Sequence, residues 1–181
     1  MSRIDEVRQN QKRGNRILFS KQSECLQELL LLFQKQNRRV LALWAFDFAE
    51  ESVAELKERY PYERRPQEAL QAARLWAAGK IKMRVAQRKI LDCHAFAKEI
   101  DDKEAIATCH AVGQACAIVH AAGHAIGYPI YDLTAIVYRL GVEHCEQAVE
   151  RRLREYRDRL LFWREHIADY SGEWADFMLV Q

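Results

Sequence analysis

The sequence predicts an all-α protein, a single-domain helical bundle of about seven to eight helices, and three observations predict it. Only three prolines and seven glycines interrupt the 181 residues, and most fall between segments whose apolar residues recur at helical spacing. Residues 105–131 contain no Asp, Glu, Lys or Arg although 30% of the chain is charged. That gap marks a helix enclosed by other helices. Residues 142–170 carry an apolar seam stepping by threes and fours between Arg- and Glu-rich faces, as in a long amphipathic helix. A chain of this length suits one domain, burying about 70% of its unfolded surface.

The elements follow in order. A short helix is expected within 5–13, before Gly14, and a second over 23–35, where Leu26, Leu29, Leu30 and Phe33 form one apolar face. Asn37 is placed to cap a third helix that runs to Tyr60 and stops before Pro61. Pro66 suits the first turn of a fourth, ended by Gly79. A fifth spans 81–100, with Met83, Ala86, Ile90, Cys93 and Ala97 on one face. Asp101 or Asp102 then caps the uncharged Ala/Gly/His-rich helix, about 102–127, which ends or kinks near Gly127 and Pro129. A seventh covers 130–140 and stops at Gly141, and the C-terminal helix runs over 142–170, roughly 40 Å if continuous.

Composition narrows the function. Lys plus Arg total 28 and Asp plus Glu 26, a net charge of +2, which favours no nucleic-acid partner. The basic run Lys80, Lys82, Arg84, Arg88 and Lys89 reads first as a solvated helix face. The five cysteines include no CxxC pair, and the N-terminus is polar and charged through Arg16. Reduced thiols in a cytoplasmic protein fit that pattern, without a secretory leader. Three histidines and Gln114 make the uncharged stretch too weakly apolar for a membrane span.

Two places could carry chemistry. His120 and His124 stand at i and i+4, so on one helix their rings reach a common point, with Cys116 a turn earlier. That spacing can ligate a metal, but Ala121 occupies the position where zincins carry a Glu. The plain alternative is a pair of core histidines satisfied by hydrogen bonds. His110 lies about 15 Å further along the axis and is not expected to join them. The second place is Asp47, the one charge in the run VLALWAFDFA. A carboxylate there needs a partner, and His120, His124 or an Arg would supply one. Glu50 and Glu51 follow at i+3 and i+4 and would enlarge such a cluster. The paired ExxH motifs of di-iron bundles, a nucleophile motif and a Gly-rich phosphate loop are all missing. No cofactor is expected.

Several pieces of the sequence, in order, resemble a known family. LALWAFDFAEESV, RYPYERRP, ALQAARLWAAG, CHAFA and AVGQACAIVHAAGHAIGYPIY are similar to the bacterial "putative immunity protein" family of the immunity-five-like class. The resemblance covers 41–140, leaving the N-terminal helices (1–36) and the C-terminal helix (142–170) outside it. It places Trp44, Asp47, Glu50, Arg65, Pro66, Trp76, His94, His120, His124 and Tyr131 at the family's pattern positions. It implies an all-helical, non-catalytic antidote that binds and neutralises a cognate toxin or effector domain. Two other readings stand beside it: a metal- or Asp/His-dependent enzyme using Asp47, His120 and His124, and a helical scaffold forming a homodimer through the seam of 142–170.

Overall fold

The computed structural model describes residues 3–180, and every regular element among them is helical. Helix α1 spans Arg3–Lys12. The 3-10 turn Glu24–Leu26 leads into α2, Gln27–Gln34. Helix α3, Arg38–Arg59, begins where Asn37 accepts a hydrogen bond from the Val40 N–H at 3.0 Å, and ends at Tyr60 before Pro61. Its middle is apolar on almost every side, so Val40 to Phe46, Phe48 and Ala49 are all buried. Helix α4, Arg65–Ala77, carries Pro66 in its first turn, where the missing N–H leaves no bond unmade.

Helix α5, Met83–Phe96, is shorter at both ends than periodicity suggests. Helix α6, Lys103–Ala117, starts at Asp102, whose carboxylate accepts from the Ala105 N–H at 3.1 Å. Helices α7, Gly127–Leu140, and α8, Glu146–His166, follow. Gly141, which ends α7, has φ +79°, a left-handed conformation that a side chain would oppose. The 3-10 turn Ile167–Asp169 and the four-residue α9, Asp176–Leu179, complete the chain.

Helix α6 is the centre. It packs along α7 and also against α3, α4 and α5, which is why its residues from Ala105 onward carry no Asp, Glu, Lys or Arg. The uncharged segment is nevertheless two elements. Helix α6 stops at Ala117, the chain turns through 118–121, and a 3-10 turn, Ala122–Ile126, feeds straight into α7. Buried Ile118 and Val119 anchor the turn, and Pro129 sits in the first turn of α7 rather than at the end of α6.

Helix α8 lies across α3, with further contacts to α7 and α2. At 21 residues it is about 32 Å long. Its inner seam, Val149, Tyr156 and Leu160, is buried against the chain's own core, with Leu153 and Trp163 packed beside it. After α8 the chain returns to α4. The Ala175 N–H bonds the Ala77 carbonyl at 2.8 Å, and Met178 is buried. No helix among the described residues is long and apolar enough to cross a membrane.

Candidate functional site

Four polar groupings stand out, on different faces of the α3–α6 core. The most buried joins α3, α7 and α8. Asp132, one turn into α7, lies against Arg152 of α8, with Arg152 Nε 2.8 Å from Asp132 Oδ2 and only 14% and 10% of the two side chains exposed. The Tyr156 hydroxyl donates to the same oxygen in a short bond. The Tyr128 hydroxyl lies 3.3 Å from Asp132 Oδ1, 2.8 Å from Ser52 Oγ and 3.0 Å from the Phe48 carbonyl. At the outer edge Arg152 Nη1 reaches Glu51 at 2.7 Å and Glu155 at 3.0 Å. Its guanidinium also lies over the Phe48 ring, 4.6 Å from the centroid.

The electrostatics of that cluster are consistent with a fixed charge pair. Burial by itself would weaken the Arg152 cation, but Asp132, Tyr156 and Tyr128 together outweigh it and the guanidinium's pKa is raised. Burial, reinforced by the Asp132 charge, pushes both tyrosine hydroxyls well up, so they stay neutral donors. Each charge is thus met by an opposite charge and by hydrogen bonds, the condition under which burial of an ion pair is tolerated.

Asp47 belongs to a second grouping. It does not meet His120 or His124: Oδ2 accepts from Trp163 Nε1 at 2.7 Å and from Arg159 Nη1 at 3.0 Å, both from α8. The reason is rotational. Asp47 lies on the α3 face turned to α8, in a groove shared with Phe46, Arg74 and Trp174. Glu50 is exposed and pairs with Arg74 of α4 at 2.9 Å; it too stands apart from the histidines.

His120 and His124 form the third grouping. Because α6 has ended, they are not stacked on one helix. His120 stands on the turn, exposed, its ring 6.2 Å from that of Trp76. His124 sits on the 3-10 turn and donates from Nδ1 to Gln114 Oε1 at 3.3 Å. Burial lowers the His124 pKa, with His120 and Lys21 adding to the effect. The two rings border a groove of about 330 Å³ with Trp76, Ile90, Leu91 and Ala117 on its walls.

The fourth grouping was not legible from sequence spacing. His94 of α5 and His110 of α6 approach with Nδ1 atoms 2.7 Å apart, and the Tyr131 ring lies tilted against His110 with centroids 5.2 Å apart. One ring must carry its proton on Nδ1 and the other must accept there. Burial, then His110, then Lys98 hold the His94 pKa down to about 4, and burial followed by Lys98 lowers that of His110. Gly113 makes the approach possible, since a Cβ there would lie 2.3 Å from His94 Nε2. His110, set aside because it is far from His120 along the helix, finds its partner sideways on the neighbouring helix.

The remaining pattern positions are structural anchors. Trp44 is fully buried and donates to the Tyr156 carbonyl at 2.9 Å, tying α3 to α8. Arg65 bridges Glu63 at 2.7 Å and Glu99 at 2.6 Å, over the Phe96 ring. Those carboxylates raise its pKa. Pro66 is buried beneath it. None of the five cysteines is in a disulfide. Burial pushes the Cys93 thiol well up and those of Cys109 and Cys116 to about 12, which keeps them unreactive packing groups. Among the described residues, no three His, Cys, Asp or Glu side chains are grouped as metal ligands.

An enclosed α6, an α8 clamped on α3, and polar groups that mainly join one helix to the next together define a helical scaffold with built-in ionic ties. The profile of the Imm-5 like "putative immunity protein" family matches residues 31–159, and the chain belongs to that family. The matched segment runs from the middle of α2 into α8, so it includes both halves of the Asp132–Arg152 and Trp44–Tyr156 contacts. Comparison with curated proteins and with solved structures gives no match.

Proposed function

We propose that the protein is an immunity protein of a polymorphic toxin system, acting in the bacterial cytoplasm by binding a cognate toxin domain and occluding its working surface. The observation that carries this reading is the family match over 31–159. The disposition of the polar residues supports it: Asp132, Arg152, Tyr128 and Tyr156 hold one another inside the bundle, while Arg84, Arg88 and Leu91 on α5 and His120 and Gly123 after α6 are exposed. An enzyme built on Asp47, His120 and His124 lacks its carboxylate, which Trp163 and Arg159 hold elsewhere.

The test is co-expression with the toxin domain encoded beside this gene. Growth is restored by the intact chain, and the two proteins co-purify. A toxin that remains lethal, with no complex at micromolar concentration, would overturn the reading.

A further inference from the structure

Helix α5 turns an unusual face outward. Arg84, Gln87, Arg88 and Leu91 follow one another at i, i+3, i+4 and i+7, so they share one side of the helix. Arg84 and Arg88 are exposed, and Leu91 is 64% exposed although it also lines the groove in front of Trp76. Neighbouring Met83 and Val85 are 42% and 51% exposed. Several long cations elsewhere are engaged. Arg59, Arg65, Arg74, Arg139, Arg152 and Arg159 each hold a carboxylate. On α5 itself Lys89 pairs with Glu68. Arg84 and Arg88 form no ion pair among the described residues, and neither do Lys82 and Lys98 at the two ends of the helix.

The groove behind this face has no carboxylate in its walls. Its far rim carries His120 and His124, with Lys21 close enough to act on His124. The result is an apolar pit with the Arg84–Arg88 face on one side and Lys21 towards the other. Phe177 extends the apolar surface, its ring 5.9 Å from that of Trp76. A volume of about 330 Å³ lies at the lower end for small-ligand pockets, which suits one inserted side chain. The unpaired Arg84 and Arg88 on the adjoining helix face can take incoming carboxylates in bidentate geometry. An apolar groove suits an inserted side chain better than a phosphate backbone, and a net charge of +2 gives a nucleic acid little general attraction.

We propose that the α5 face and the Trp76 groove are the docking surface for the toxin, and that the docked segment is acidic and inserts one large apolar side chain into the groove. The proposal rests on the immunity reading above and adds the location and the chemistry of the partner. Acidic residues of that segment meet Arg84 and Arg88, and its apolar anchor packs against Leu91, Ile90 and Trp76.

The experiment titrates a catalytically inactivated form of the neighbouring toxin domain against the full chain by calorimetry at two salt concentrations. Arg84→Glu/Arg88→Glu and, separately, Leu91→Asp are compared with Arg151→Glu/Arg154→Glu on α8, with circular dichroism confirming that each folds. The expected result is at least a tenfold loss of affinity for both α5 variants, loss of most of the salt dependence in the charge-reversed one, and no change on α8. Wild-type affinity in both α5 variants would overturn the docking surface and leave the immunity function standing. No binding by the intact chain would overturn both. Tighter binding of the intact chain to a duplex oligonucleotide than to the toxin, lost on charge reversal, would replace the proposed partner with a nucleic acid.

Discussion

Arg152 is the residue on which most of the buried polarity depends. It faces Asp132, Glu51, Glu155 and the aromatic rings of Phe48 and Tyr156 at once. Removing it leaves Asp132 charged and nearly buried. Arg152→Ala is therefore expected to lose about 3–5 kcal/mol of stability by urea denaturation, whereas Tyr156→Phe, which removes one donor to that carboxylate, loses about 1.5–3. A loss below 1 kcal/mol for Arg152→Ala would mean that Asp132 finds water. His94 supplies a pH-dependent term of known sign. Its folded pKa of about 4 lies below the ordinary 6.5, so between those values the unfolded chain holds the extra proton. Stability is complete above pH 6.5 and falls as pH is lowered towards about 4. His94→Gln should flatten that part of the stability profile, and an unchanged slope would show that the ring is solvated.

At the scale of elements, Gly113 shows how α5 and α6 meet. A methyl group there collides with His94, so Gly113→Ala is expected to cost about 1–3 kcal/mol and to alter the His94 and His110 ring resonances in NMR spectra. Native-like shifts at full stability would refute the close approach. The helices were largely legible in the sequence because their starts carry physical signals: Asn37, Pro66 and Asp102 each act where they stand. The end of α6 was not. A run of Ala, Gly, Ile and Val has neither a charge nor a polar cap to mark a stop, and tertiary packing against α7 decides where the chain turns. That single break separates His120 from the helix axis and removes the i, i+4 geometry. Asp47 finds its partners on α8, and periodicity alone does not show that its side of α3 faces Trp163. The Asp132–Arg152 pair was hidden because its members are twenty residues apart on different helices, and each looks like an ordinary surface charge.

For the molecule as a whole, the disposition of α8 bears on assembly. The apolar seam that could have joined two copies is already spent on α3, with Tyr156 and Leu160 fully buried. Sedimentation velocity should give a monomer at micromolar concentration. Leu160→Glu should unfold the chain rather than alter its association state, because it places a charge in the core. A folded Leu160→Glu monomer arising from a wild-type dimer would restore the seam as an interface.

Tyr156, Arg152 and Trp163 also have a place in time. They are the partners of Trp44, Asp132 and Asp47, and synthesis delivers them late, some hundred residues after the α3 residues they serve. On the ribosome α3 and α7 emerge with those groups unmet, and the core cannot close until α8 clears the exit tunnel. A premature stop between 141 and 150 would therefore release a chain already carrying α1 through α7, yet one with its aspartates still in search of water and its central helices open to chaperones and proteases.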